Sequence, residues 1–238
     1  MFPPLAKTIY ILFQSYTSFV LAGGFSCYNV VMEEKIAKIK EWLGTGSINV
    51  FGLPMSGKDT QGIRLAETLN AKFLSSGMII RAMEQETRQN FTGTGQLLPT
   101  DLFYEWVLPY LERKDLFEFP LVLSSIGRWY GEERQVLSVA AGAGHPIKAV
   151  VLLNVSESDV IQRFEAAKLL NDRGERNDDR DKQIFDVRLK EFRDKTMPVL
   201  NYYNEQGLLI NVNGDQSRDA VFAEMIEKLY EKASSDAA

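Results

Sequence analysis

The sequence predicts an α/β fold, a central parallel sheet of five strands with helices packed on both faces. Five apolar runs alternate along the chain with helix-patterned segments, an order that calls for parallel strands joined by right-handed crossovers. The most apolar of these runs, Ile147 to Val155, suits a parallel strand covered on both sides. The third observation is local. Ser47 to Gln61 reads as a short buried strand, a glycine-bounded loop, a lysine and a helix start, the arrangement that cradles phosphate.

In chain order, residues 1–31 carry one charge, Lys7, and an apolar and aromatic run from Ile9 to Phe25 broken by Gln14, Ser15, Thr17 and Ser18. A secretory signal with its cleavage site near Leu21-Ala22-Gly23 is one reading. A weak membrane anchor is another, which the polar interruptions disfavour. The third is an extension upstream of the functional start, since Met32 opens a charged amphipathic segment of the kind that begins a cytosolic chain. The expectation is a dispensable extension over 1–31 and one domain over 32–238.

Ile48 to Phe51 forms the first strand and Thr60 to Leu69 the helix after the loop. Ala71 to Leu74 is a second strand, and Met78 to Gln89 is helical. Asn90 to Leu98 is a polar loop, after which Thr100 or Asp101 caps a helix reaching Leu111. Phe119 to Ser125 is the third strand, followed by a helix from Glu132 to Ala143. After the strand at 147–155, Ser156 caps a helix running to Leu170. A charged linker at 171–181 leads to a long helix, about 182–206, bent or broken near Pro198. A strand from Leu208 to Val212 and a helix from Ser217 to Ala233 complete the chain.

Composition narrows the function. With 238 residues, 45% of them hydrophobic and 25% charged, the chain is an ordinary soluble globular protein. A net charge of −5 offers no polyanion-coating surface, so nucleic acid is not an expected partner. One cysteine, Cys27, excludes an intrachain disulfide framework, and with His145 as the only histidine it argues against a transition-metal centre.

Ligands on open parallel sheets bind beyond the carboxyl ends of the strands. There the sequence places Gly52 to Lys58, Ser75 to Arg81, Ser124 to Arg128 and, on the next helix, Arg163. A lone arginine is most simply a solvated surface charge. Lys58, Arg81 and Arg128, each just past a strand, form instead a candidate anion site. In the loop, Gly52, Gly57 and Lys58 fit G-x-x-x-x-G-K, with Asp59 where a magnesium-binding hydroxyl normally stands and Thr60 one place late.

Together these segments resemble the adenylate kinase family of nucleoside monophosphate kinases, from about Ile48 to Leu229. Gly52 to Gln61 is similar to the family's phosphate loop, including Pro54. Ser-Ser-Gly-Met-Ile-Ile-Arg (75–81) resembles S-T-G-D-x-x-R, and Gly95 to Asp101 resembles G-x-L-V-P-D. Ser124 to Arg128 falls where D-G-F-P-R is expected, and Arg176 to Asp179 with Arg188 resembles the lid signature R-x-D-D and the arginine after it. The resemblance implies a P-loop three-layer fold with an inserted monophosphate-binding lobe at about 75–118 and a short lid at about 171–181. It implies reversible transfer of the terminal phosphoryl group from ATP to a nucleoside monophosphate, with Mg2+.

The resemblance also assigns roles. Lys58 would hold the donor phosphates within a loop of Gly52, Pro54, Ser56, Gly57, Asp59 and Thr60. Arg163 would lie against the donor base or its phosphates. Ser76, Arg81, Arg128 and Glu132 would bind the monophosphate, and Arg176 (or Arg173) and Arg188 would close over the transferring group. Partners would be small nucleotides, without nucleic acid or stable membrane association, for a cytoplasmic monomer.

Departures carry expectations of their own. Met78 and Ser124 replace two family aspartates of the magnesium shell, Ala167 replaces a lid arginine, and Asp59 and Met55 replace loop glycines. Asp59 would take over as the magnesium ligand, or merely favour the helix N-terminus. Met55 would be strained if its position needs φ > 0. Glu132 stands where an adenine-reading glutamine is usual; a carboxylate only accepts, which tilts toward guanine unless Gln135 faces the base instead. AMP is kept narrowly ahead of GMP. The alternatives are a catalytically impaired nucleotide sensor or interaction module and, more remotely, another small-molecule kinase on this scaffold.

Overall fold

The computed structural model describes residues 27–170 and 181–237. Two compact units divide the chain, Met1–Glu34 and Lys35–Ala238. Of the first, the described part is the opening of helix α1, Cys27–Leu43. This helix begins upstream of Met32 because Tyr28 to Val31 contain no helix breaker. The rest of the extension lies outside the described residues, as does the linker at 171–180. All that follows concerns the second unit.

Five strands, β1 (Ser47–Gly52), β2 (Lys72–Ser75), β3 (Leu121–Ser124), β4 (Ile147–Asn154) and β5 (Leu209–Asn213), form one sheet in the order β2-β3-β1-β4-β5. Every pairing is parallel. Ser124 lies opposite Ser75 on one side and Val50 on the other, so β1, β2 and β3 deliver their carboxyl ends to one edge. Between β3 and β4 the chain crosses over β1, the switch point where such sheets bind ligands.

Around the sheet lie α2 (Lys58–Leu69), α3 (Ser76–Thr87), α4 (Thr100–Trp106), α5 (Glu132–Gly142), α6 (Glu157–Leu170), α7 (Lys182–Glu191), α8 (Met197–Glu205) and α9 (Arg218–Ser235). Buried side chains of β1, β3 and β4 pack with Trp106, Leu111, Val136 and Tyr203 in the larger core cluster. A smaller one joins Leu53 and Met55 to Phe164 of α6 and to Phe185 and Leu189 of α7. None of the described helices is long and apolar enough to cross a membrane.

Two helices depart from the expected lengths, and proline explains both. α4 ends at Trp106 and continues as a 3₁₀ turn, Leu108–Glu112, since Pro109 has no N–H for the Glu105 carbonyl. Likewise the long helix splits at a π turn, Phe192–Thr196, because Pro198 cannot donate to Asp194. The expected cap on α4 is also corrected. Pro99 holds the cap position without a side-chain bond, and the Thr100 hydroxyl is turned instead to Glu132. Ser156 does cap α6, its Oγ accepting from the Asp159 amide at 3.1 Å.

Candidate active site

The loop between β1 and α2 folds back over its own strand. A Cβ on Gly52 would lie 2.5 Å from Ser56 Oγ and 3.2 Å from the Leu153 carbonyl, so only glycine fits there. Gly57, at φ 86°, turns the chain into α2, whose first two residues are Lys58 and Asp59. Met55 takes φ 66°. That left-handed conformation strains a side-chain-bearing residue by about 1–3 kcal/mol. The buried Met55 side chain, seated against Phe164, Phe185 and Leu189, holds it in place.

Beside the loop, Met55, Ser56, Thr60, Arg163, Ala167 and Gly214 line a cavity of about 420 Å3. Arg163 donates to the Ser56 carbonyl at 3.3 Å and to the Gly214 carbonyl at 2.8 Å, and stands 3.7 Å from Asp215. It thereby ties the phosphate loop to the turn after β5. Ala167, where the family resemblance would place a second arginine, lines that cavity with a short apolar side chain. Among the described residues, buried Ser56 Oγ and Gln61 Oε1 have no hydrogen-bond partner in the protein.

The other side is narrower. Ser76, Arg81, Arg128, Trp129, Glu132 and Arg188 are among the residues around a cavity of about 80 Å3. Adjoining it, Gly52, Pro54, Lys58, Arg128, Arg188 and Glu191 line a smaller space of about 20 Å3. Arg128 and Arg188 therefore face both, with Arg81 at one end and Lys58 at the other. Arg128 donates to Ser76 Oγ at 3.0 Å. Burial, then the neighbouring Arg188, pushes its pKa down to about 10, which leaves the guanidinium charged at neutral pH. Asp59 and Glu132 oppose that shift.

Glu132 is buried and engaged. One carboxylate oxygen accepts from the amides of Arg128 at 2.8 Å and Trp129 at 3.0 Å, and the other from the Thr100 hydroxyl at 3.0 Å. Burial raises its pKa from the ordinary carboxylate value, against the pull of those donors. Gln135, the alternative base reader, is exposed and lines none of these cavities. Arg176 and Arg173 lie outside the described residues.

Of the two positions that lost an aspartate, Met78 is 55% exposed, while Ser124 is buried at the end of β3. Its hydroxyl donates to Asp59 Oδ1 at 2.5 Å. Asp59 thus carries its carboxylate from α2 to the neighbourhood of the position the motif gives to aspartate.

Other site-building residues went unsingled in the sequence. Buried Asn49 donates to the Ile126 carbonyl at 2.8 Å and accepts from its amide at 3.3 Å, fixing the turn that carries Arg128. A polar residue inside the apolar run 48–51 was the available signal. Glu191 and Lys195 show only the four-residue spacing of a helical pair, and their link to Trp129 had no signal, because only the fold brings the three together.

The comparisons agree with this geometry. A scan against protein-family models finds no match. Curated relatives are clearer: an adenylate kinase of Agrobacterium fabrum is 30% identical over 192 residues, covering 77% of this chain and 97% of the relative. An adenylate kinase of Mycobacterium tuberculosis is 32% identical over 186 residues, 76% of this chain and 97% of the relative. One of Thermus thermophilus is 30% identical over 179 residues, 72% and 90% respectively. With nearly the whole length of such relatives matched, and a phosphate loop opening onto a row of cations at the sheet's carboxyl edge, this chain belongs to the adenylate kinase family of nucleoside monophosphate kinases.

Proposed function

We propose that the protein reversibly transfers the terminal phosphoryl group of ATP to AMP. The observation that carries this reading is the placement of Arg128 and Arg188 on both adjoining cavities, with Lys58 toward one and Arg81 toward the other. Phosphoryl transfer asks mainly for alignment and for positive charge around the equatorial oxygens. Lys58 and the loop amides hold the donor phosphates, with Arg163 beside the donor cavity. Arg81, Arg128 and Ser76 orient the acceptor phosphate, so that the two nucleotides meet in line beneath Arg188. A lid over 171–181, with Arg176, is what the resemblance alone implies, since all but its last residue lies outside the described residues.

AMP is the acceptor on two grounds. The curated relatives carry the name adenylate kinase. Glu132, whose carboxylate would otherwise favour guanine's two donors, already receives three hydrogen bonds from its own chain. Comparing AMP, GMP, CMP and UMP with ATP as donor tests this. AMP is expected to lead in kcat/KM by about tenfold or more; preference for GMP, or turnover with none of the four, would overturn the assignment.

The donor set fits magnesium, which is commonly bound through one or two carboxylates together with substrate phosphates. Asp59, steered by Ser124, would hold the ion directly or through water, and the ion when bound supplies positive charge to the phosphates. Asp59→Gly is expected to weaken Mn2+ binding in the presence of ADP, read by paramagnetic resonance, and to raise the magnesium needed for half-maximal turnover. Unchanged Mn2+ affinity would dismiss the assignment. We further infer a cytoplasmic monomer, where triphosphate is supplied, with no nucleic-acid partner.

A further inference from the structure

Three separate pieces of the acceptor side are joined by a cycle of contacts that the transfer chemistry does not require. Glu191, at the end of α7, accepts from the Leu97 amide at 3.1 Å and from Lys195 Nζ at 2.6 Å, both on Oε2. Lys195 Nζ also stands 3.8 Å from the centroid of the Trp129 ring, within cation–π range. The Trp129 indole N–H donates to the Leu98 carbonyl at 3.0 Å, and its backbone amide donates to Glu132. Leu97 is thus held by its N–H and Leu98 by its C=O, and the cycle closes through Glu191, Lys195 and Trp129.

Local structure makes the cycle possible. Glu191 precedes the π turn and Lys195 lies within it, and the wider coil of that turn stacks residues four apart more nearly in line than an α-helix does. The acid lies on the N-terminal side of the base, the better order for such a pair. Side-chain exposures of 11% for Glu191 and 25% for Lys195 keep water from screening it fully. Glu191 lines the space shared with Lys58, Arg128 and Arg188, while Trp129 lines the acceptor cavity.

We propose that Lys195, acting through Glu191 and the Trp129 ring, is a positioning residue for the acceptor nucleotide. It sets where the loop at 97–98 stands against the turn bearing Arg128, and so fixes the wall the acceptor meets. The inference rests on the reading of this cavity as the acceptor site.

The test is steady-state kinetics of Lys195→Met, Lys195→Arg and Trp129→Phe, together with the change in tryptophan emission on adding AMP. Lys195→Met is expected to raise the KM for AMP about tenfold while the KM for ATP stays within about twofold, in line with loss of a partly buried cation–π and ion pair. Lys195→Arg keeps both contacts and restores the AMP KM. Trp129→Phe retains a ring but not the indole N–H, and is expected to raise the AMP KM about threefold. The AMP-dependent emission change of the unaltered protein should be lost in Trp129→Phe and reduced in Lys195→Met. Equal rises in both KM values, an unchanged AMP KM, or no rescue by arginine would overturn the positioning role. Failure of the unaltered protein to phosphorylate AMP would instead overturn the reading of the cavity.

Discussion

The sides of the site proposed for donor and acceptor are built by different means. The cavity proposed for the donor is roomy, about 420 Å3, and its tied-down cation is Arg163, bonded to two carbonyls, among lining residues such as Ser56, Gly57, Thr60 and Ala167. The cavity proposed for the acceptor, about 80 Å3, is lined by side chains each tied to several partners: Arg128 to the Ser76 hydroxyl, Glu132 to the Thr100 hydroxyl and two amides, Trp129 to the Leu98 carbonyl and to Lys195. On the acceptor side the partners come from distant parts of the chain: the Thr100 hydroxyl is turned toward Glu132, and Lys195 stands over the Trp129 ring.

That contrast can be broken most forcibly at Arg128, which faces both the acceptor and the transfer spaces. Arg128→Met is expected to lower kcat/KM about 10³-fold through lost stabilisation of the transferring group. Arg163→Met on the donor side should cost about tenfold, chiefly in the KM for ATP. Comparable losses in the two variants would erase the distinction between the sides.

Next in size is Glu132→Ala, which strips acceptors from the Arg128 and Trp129 amides. It should destabilise the fold by about 2–3 kcal/mol in urea titrations. A smaller, sign-sensitive test lies at Met55. Met55→Ala keeps the left-handed strain and loses the apolar packing, whereas Met55→Gly loses the packing but relieves the strain. The glycine variant is therefore expected to be the more stable of the two by about 1 kcal/mol, the reverse of the usual order.

The smallest effect is in pH. Because burial raises the Glu132 pKa in the folded state, the native protein binds more protons than the unfolded chain between the ordinary carboxylate value and the raised one. Stability should therefore fall gently as pH rises through that window, and Glu132→Gln should flatten this part of the profile. A stability that climbs across the same window in the unaltered protein would contradict the burial argument.

Much of the scaffold was legible because its signals are local. The five strands follow from apolar runs, and Gly52, Gly57 and Lys58 announce the phosphate loop within a few residues of each other. Arg81, Arg128 and Arg163 were legible through their places after strands. The sign of φ at Met55 was not, since methionine offers no hint of a left-handed turn. The route of Asp59 to Ser124 spans 65 residues, and the hold of Asn49 on Ile126 spans 77. Such contacts depend on which strands become neighbours, which no local pattern encodes. The Glu191–Lys195 spacing was readable as a helical pair, but its extension to Trp129 was not.

The π turn at Phe192–Thr196 has a last consequence. Ahead of it, Phe185 and Leu189 turn toward the small apolar cluster beneath Met55; beyond it, Val199, Leu200 and Tyr203 enter the main core. A regular helix keeps one constant azimuth, so a single rod could not serve both layers cleanly. The wide coil acts as a phase slip, letting one nearly continuous rod carry two apolar faces aimed in different directions, with Phe192 touching both clusters at the joint.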